Sequence, residues 1–334
     1  MNENKENNYI KSDFIKPYFS TVKERWHHLL SKYFNDDGNL SEIFTTKTNC
    51  PHCTCHDFKE KFELNKFIHQ TCINCDCVYV SPRLNDSALE ELYSDDYYSE
   101  LYATSMIPFF ERRKKLIGIN KFNQTISHFS KINIFPSQIN VLDIGAGVGE
   151  VICTFQDQGF NCEATEMNKK AVSFLRSKQI IVFDGIFDDF PEKNKYDIIM
   201  AWGVVEHVIN PKNFLNKAFR LLNDEGIFVS EVPNSQSLLV DYCRENKKDP
   251  TRILMGEQHI LLYSISAYEE LHTKSGFEKI HIQTNGLDLE TILSIEKQNA
   301  INDNLVLNLQ KQIDLYMKGD LIRGFWKKKS NIKF

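Results

Sequence analysis

The segment that most restricts the fold is a run of branched apolar residues that ends near an aspartate and breaks into alternating glycines: Val141-Leu-Asp143-Ile-Gly145-Ala-Gly147-Val-Gly149-Glu150. A buried strand must run into a tight turn here, with a helix starting behind it. Glycines let a backbone approach a ligand closely, and a helix start presents unpaired N–H groups. Downstream, short runs rich in β-branched residues (NCEATE, YDIIMAW, GIFVSEV) alternate with helical patterns such as KKAVSFLRSK and PKNFLNKAFRLL. That alternation predicts βαβ units around a mostly parallel sheet covered on both faces, an α/β fold.

Three details set this turn apart from a phosphate-binding loop. Asp143 points a carboxylate toward the turn, where a pyrophosphate would be repelled. No Lys-Ser/Thr pair follows, which excludes a P-loop. About 20 residues on, as in dinucleotide folds, the second strand ends in an acid, Glu166, suited to a ribose diol. The expected ligand carries ribose and a positive charge. Composition agrees: the net charge of −5 offers no basic field for a nucleic-acid backbone. No apolar run approaches the ~20 residues of a membrane helix. The polar start, MNENKENNYIKSDF, does not read as a signal peptide, so a reducing, cytoplasmic setting is expected.

The chain has nine cysteines, six of them between Cys50 and Cys77. Cys50-Pro-His-Cys53 and Cys72-Ile-Asn-Cys75 are two C-x2-C knuckles at zinc-ribbon spacing. Together they supply four thiolates for tetrahedral Zn2+, a closed and therefore structural site. Cys55, Cys77, His52 and His56 are neighbouring substitutes, while Cys153, Cys162 and Cys243 read as core thiols. Around this module the expected organisation is a helical extension over 1–48, the ribbon over 49–82, a helical linker and lid over 83–136, and an α/β domain over 137–334. Asp86 is the expected cap of a linker helix, and Arg112 to Lys115 the solvated face of another.

With these motifs in hand, the chain resembles class I S-adenosylmethionine-dependent methyltransferases over residues 138–284. VLDIGAGVGE is similar to their nucleotide-binding loop, YDIIMAWGVVEHVINP to the fourth-strand motif, and RLLNDEGIFVSEVPN to the fifth. SISAYEELHTKSGFEKI resembles the helix and sixth strand that follow. The resemblance implies a Rossmann-like seven-stranded sheet with S-adenosyl-L-methionine as donor. It places Asp143, Gly145, Ala146 and Gly147 at the donor's loop, and Glu166 with Met167 at the ribose. Asp184, Gly185 and Ile186 would flank the adenine, with Trp202 nearby. It also implies a seventh, antiparallel strand, for which Gly319 to Trp326 is the candidate, after a helical insertion over 288–317. The rival reading of the tail is a basic amphipathic segment from Arg323 to Lys333 lying on a membrane. The ribbon followed by SPRL and ELYSDDYY resembles bacterial methyltransferases of sugar and surface-polysaccharide pathways. Two features depart from those: about 50 residues after 284 cannot hold their further domain, and the first 45 residues have no counterpart.

Methyl transfer from a sulfonium is an in-line displacement, so the protein aligns the reactants and removes a proton. His207 is the candidate base and His259 the candidate orienting group; packing beneath the loop is the alternative role for each. Glu206 orients His207 or lines the donor pocket. Tyr97 and Tyr98 are candidates for the wall of the acceptor site, or for buried helix aromatics, and Asn234 lies just past the fifth strand. Asp188, Asp189 and Glu206 do not form an evident carboxylate set, so no catalytic metal is expected. The favoured acceptor is a hydroxyl of a sugar or nucleotide-linked sugar. Carbon, nitrogen or RNA as the methylated target remain open, as does a donor-binding scaffold without activity.

Overall fold

The computed structural model describes residues 26–130, 135–248, 253–298 and 302–329. Much of the extension expected over 1–48 thus lies outside the described residues, as does the tail beyond 329. From Trp26 a helical turn leads into a 3-10 turn at Ser31–Tyr33, and Leu29, Leu30 and Tyr33 are buried.

The front of the chain holds five short strands: β1 (Thr45–Thr46), β2 (Phe58–Leu64), β3 (Phe67–Cys72), β4 (Val78–Val80) and β5 (Arg83–Leu84). β1 pairs with β5, and β2, β3 and β4 form an antiparallel meander. The α/β part follows with β6 (Asn140–Ile144), β7 (Asn161–Glu166), β8 (Ile181–Asp184), β9 (Tyr196–Trp202), β10 (Leu222–Pro233), β11 (Leu261–Leu262), β12 (Phe277–Asn285) and β13 (Leu321–Lys328). Seven of these make one sheet in the order β12-β13-β10-β9-β6-β7-β8. Only β13 runs against its neighbours. Strand order reverses at β6, with β7 on one side and β9 on the other, so their carboxyl ends frame the crevice where such sheets bind ligands. Val141, Leu142 and Ile144 of β6 and Ile198, Ile199 and Met200 of β9 are buried, as a sheet covered on both faces requires.

The tail completes the core. Trp326 is fully buried and stacks on His272 at 4.2 Å, and Arg323 is buried in an ion pair with Glu231. The membrane-surface reading of the segment from Arg323 is therefore overturned: it supplies a strand between β10 and β12. Before that strand, helices span Asp288–Ile295 and Asp303–Leu315.

Between β5 and β6 in the chain come helices Asp86–Ser94 and Asp96–Met106 and a helical stretch over 110–127 that includes a π-helical turn at Lys114–Gly118. The first is capped by Asn85, whose side chain accepts from the Ala88 N–H, one residue before the expected Asp86. The charged face over 112–115 is not simply solvated, because Arg113 pairs with Glu150 at the end of the glycine turn. On the next turns Lys121 reaches Glu231 at 2.9 Å. Among the described residues, no helix is long and apolar enough to cross a membrane.

Candidate active site

The glycine turn is tied to the end of β7. The Gly145 N–H donates to the Thr165 hydroxyl, the Ala146 N–H to the Thr165 carbonyl, and the Gly147 N–H to Glu166 Oε2 at 2.7 Å. Glu166 Oε1 accepts from the Met167 and Asn168 N–H groups, each at 2.8 Å. A carboxylate has about four acceptor sites, so one remains for a ligand hydroxyl. Gly145 and Gly147 adopt φ of 65° and 57°, the left-handed region that favours glycine. A Cβ on Gly145 would stand 2.9 Å from a Val204 methyl, and one on Gly147 2.5 Å from the Tyr102 hydroxyl. The turn is thus pressed between the loop after β9 and the helix Asp96–Met106. Beneath it Asp143 is 2% exposed; burial lifts its carboxyl well above the usual range, with Lys121 opposing.

Trp202 ends β9, with Lys121 at 4.4 Å from its ring centre and Arg323 at 5.2 Å, and its buried Nε1–H has no acceptor among the described residues. Asp184 ends β8 and pairs with Lys169 at 2.7 Å. Gly185 donates to the Glu166 carbonyl, and Ile186 is exposed. Asp184, Gly185 and Ile186 thus sit at the carboxyl end of β8, and Trp202 at the carboxyl end of β9 on the other side of β6.

Across the crevice, the chain leaves β9 through a 3-10 turn at Val205–His207. Glu206 is buried, Oε2 lacks a partner among the described residues, and desolvation pushes its carboxyl up to about 8. His207 Nδ1 lies 3.1 Å from the Gln258 carbonyl and 3.1 Å from the Tyr93 hydroxyl. Burial, with His259 adding to it, holds this imidazole below its ordinary range. His259 is buried with Nδ1 2.6 Å from the Ile253 carbonyl, and its ring centre lies 4.9 Å from that of His207. One ligand-type atom from each of Glu206, His207 and His259 lies within 4.8 Å of the others.

The loop that carries His259 is anchored from the front of the chain. β11 follows His259 directly and pairs antiparallel with β4, which follows the second cysteine knuckle. Ser264 and Ser235 donate to the Cys75 and Asp76 carbonyls at 2.6 and 2.8 Å. Trp26 Nε1 donates to Glu257 at 2.6 Å.

The four sulfurs of Cys50, Cys53, Cys72 and Cys75 converge within 4.8 Å of one another, with Cys50–Cys75 at 3.5 Å and Cys53–Cys72 at 3.4 Å. Tetrahedral bonds of ~2.3 Å to one zinc would hold sulfurs about 3.8 Å apart, so the set fits that ion with little movement. The two knuckles share one geometry. Cys50 N–H donates to the Cys55 carbonyl and Cys72 N–H to the Cys77 carbonyl, and Thr54 and Asp76 take matching φ of 61° and 57°. Cys55 and Cys77 thus close the knuckle turns through their backbones. His52 instead reaches Glu270 at 3.2 Å.

The remaining candidates separate. Tyr98 packs against Tyr93 at 5.7 Å and Trp26 at 5.5 Å, beside His207. Tyr97 is 40% exposed and edge-on to His28, away from that cluster. Asn234 is fully buried; its amide donates to the Met317 and Gly319 carbonyls, and its oxygen accepts from the Gln236 N–H. Its polar atoms hold a turn together. Sequence reasoning missed Tyr93 and Tyr102, which reach the site from linker helices. It also missed Ser99, whose hydroxyl donates to Asn168 at 2.8 Å and docks the lid helix.

Known proteins resemble this chain. The family described as "Methyltransferase domain" matches residues 111–282. A sarcosine/dimethylglycine N-methyltransferase of Aphanothece halophytica is 28% identical over 169 residues, 46% of this chain and 58% of that protein. A ubiquinone biosynthesis O-methyltransferase of Rickettsia bellii is 25% identical over 114 residues, 32% of this chain and 46% of that protein. The chain spans about half the length of these curated relatives. Among solved structures, a SAM-dependent methyltransferase from Archaeoglobus fulgidus aligns over 69% of this chain and 100% of that one, at 18% identity and a TM-score of 0.46. With its glycine turn, acid-ended second strand and single reversed strand, the chain belongs to the methyltransferase-domain family, in its class I, S-adenosylmethionine-dependent form.

Proposed function

We propose that the protein transfers a methyl group from S-adenosyl-L-methionine to a small acceptor, a hydroxyl of a sugar or nucleotide-linked sugar. The observation that carries this reading is the contact between the glycine turn and Val204, which sets the donor loop against the turn bearing Glu206 and His207. Donor and acceptor groups would then meet at one crevice. The residues present suit the donor: Glu166 keeps one acceptor site for a ribose hydroxyl, and the turn carries no cation that would oppose a sulfonium. When bound, the donor supplies an electrophilic methyl. Asp143, Gly145, Ala146 and Gly147 would hold its amino-acid end, Glu166 and Met167 its ribose, and Asp184 to Ile186 its base, with Trp202 beside it.

On the acceptor side His207 is the group to take the hydroxyl proton as the new oxygen–carbon bond forms and the sulfur–carbon bond breaks. The Gln258 carbonyl accepts from Nδ1–H, which leaves the lone pair on Nε2. Glu206 and His259 orient that ring. The Tyr93–Tyr98–Trp26 cluster offers aromatic faces to a sugar ring. The same faces suit a cationic amine, so nitrogen methylation is the second reading, in line with the relative named for sarcosine and dimethylglycine. The ribbon would hold a structural Zn2+ on Cys50, Cys53, Cys72 and Cys75.

The test is transfer of labelled methyl to a panel of nucleotide sugars, phosphosugars and small amines, followed by location of the label. Label on a sugar oxygen supports the reading. Label on an amine selects the second, and label on RNA alone overturns both.

A further inference from the structure

We infer that Glu206, His207 and His259 form a second metal site, which binds one divalent first-row transition cation beside the methyl donor. The inference revises the expectation that no metal acts here, which weighed carboxylates alone and had no means of joining residue 259 to residues 206 and 207.

Four observations carry it. First, one ligand atom from each side chain lies within 4.8 Å of the others, and Glu206 Oε1 is 4.0 Å from His207 Nε2. Side-chain rotation of about an ångström closes such a set on bonds of ~2.0–2.2 Å. Second, both imidazoles are held the way metal-bound imidazoles are held. His207 Nδ1 faces the Gln258 carbonyl and His259 Nδ1 the Ile253 carbonyl. A carbonyl only accepts, so each Nδ1 carries the proton and each Nε2 the lone pair, with the second ring nitrogen oriented by the backbone. Third, Glu206 is 3% exposed and its Oε2 has no partner among the described residues. A buried carboxylate with one oxygen unpartnered is a group that a bound cation would satisfy. Fourth, the site shares no ligand with the cysteine cluster, and three protein ligands leave coordination positions open where four close them.

Two imidazoles with one carboxylate suit Mn2+, Fe2+ or Zn2+ rather than Mg2+ or Ca2+, which take oxygen sets. The open positions would accept two adjacent oxygens of an acceptor, as in a vicinal diol. With a cation bound, His207 would be a ligand in place of its role as base, and the cation would acidify a bound acceptor hydroxyl, whose proton would pass to water as its oxygen bonds the methyl carbon and the sulfur–carbon bond breaks. Only this consequence rests on the proposed methyl transfer; the cation site itself does not.

The experiment uses the full chain, dialysed against a chelator too weak to strip thiolate-bound zinc, with Mn2+ titrated in and followed by electron paramagnetic resonance. Expected is one Mn2+ per chain showing 14N couplings from imidazole. E206Q and H259Q should bind at least tenfold more weakly while binding S-adenosylhomocysteine like the parent, which reports that they are folded. Absence of Mn2+, Fe2+ and Zn2+ binding at this site below about 1 mM would overturn the inference. So would a bound ion without nitrogen couplings, or binding unchanged in E206Q and H259Q. Labelled methyl transfer at an undiminished rate in the cation-free protein would overturn the cation's role while leaving the methyl-transfer reading in place.

Discussion

The cysteine cluster and the Glu206–His207–His259 cluster are assembled in opposite ways. Each cysteine pair comes from one six-residue turn, repeated with the same backbone bonds and the same left-handed residue. The other cluster joins a turn after β9 to a loop before β11, with His207 and the Gln258 carbonyl that holds it 51 positions apart. The first is local and brings four sulfurs within 4.8 Å of one another. The second is non-local, has three ligands, and lies across the crevice from the donor loop. Pairing of β4 with β11 couples them, because the strand that follows the second knuckle fixes the loop bearing His259. A closed site builds a scaffold, and an open one is left for chemistry.

The largest expected effect breaks the scaffold side. Cys50→Ser should release the ribbon's metal, which in small zinc modules contributes on the order of 10 kcal/mol. Zinc content should fall, hydrogen exchange should rise in 49–82 and in the 253–262 loop together, and turnover should collapse. Exchange confined to 49–82, with full turnover, would break the coupling. Next comes the open cluster. His207→Ala should cost about 10²–10⁴ in kcat with donor affinity kept, as loss of a proton acceptor does. Unchanged kcat removes its assignment.

Below the site, Glu231 tests whether the charged floor is structural. Burial alone would raise its carboxyl, but Arg323 and Lys121 outweigh that and bring it to about 2. A depressed carboxylate stabilises the fold above its ordinary value of 4.5, and that stability is lost as pH falls toward 2. Glu231→Gln should destabilise by about 3–5 kcal/mol at neutral pH, since it leaves buried cations without their partner, and should flatten the acid-unfolding curve in that window. A smaller effect is expected at Gly147→Ala, about 1–2 kcal/mol from the left-handed backbone alone, together with weaker donor binding as Tyr102 is pushed aside. Thermal melts with and without donor check both parts. The smallest contrast is between adjacent tyrosines: Tyr98→Ala should raise KM for the acceptor, while Tyr97→Ala should leave it unchanged.

What the sequence disclosed follows the same division. The strands and the cysteine knuckles are periodic or closely spaced, so their residues announced them. Even there the cap fell on Asn85 rather than Asp86, because a short side chain one residue earlier reached the free N–H. The open cluster was legible only as separate candidates. No spacing links 207 to 259, and the link is a hydrogen bond from the His207 ring to the Gln258 carbonyl. Tyr93 and Tyr102 sit in linker helices whose docking depends on Ser99 and Asn168, 69 residues apart. Arg113 looked solvated because its partner Glu150 lies on the far side of a fold not yet formed.

The most direct measurement is a calorimetric titration of S-adenosylhomocysteine into the full-length protein and into Glu166→Ala. One site per chain, weakened at least tenfold in the variant, is the predicted result. No heat at millimolar ligand, or equal affinity in both proteins, would contradict the donor site on which the account stands.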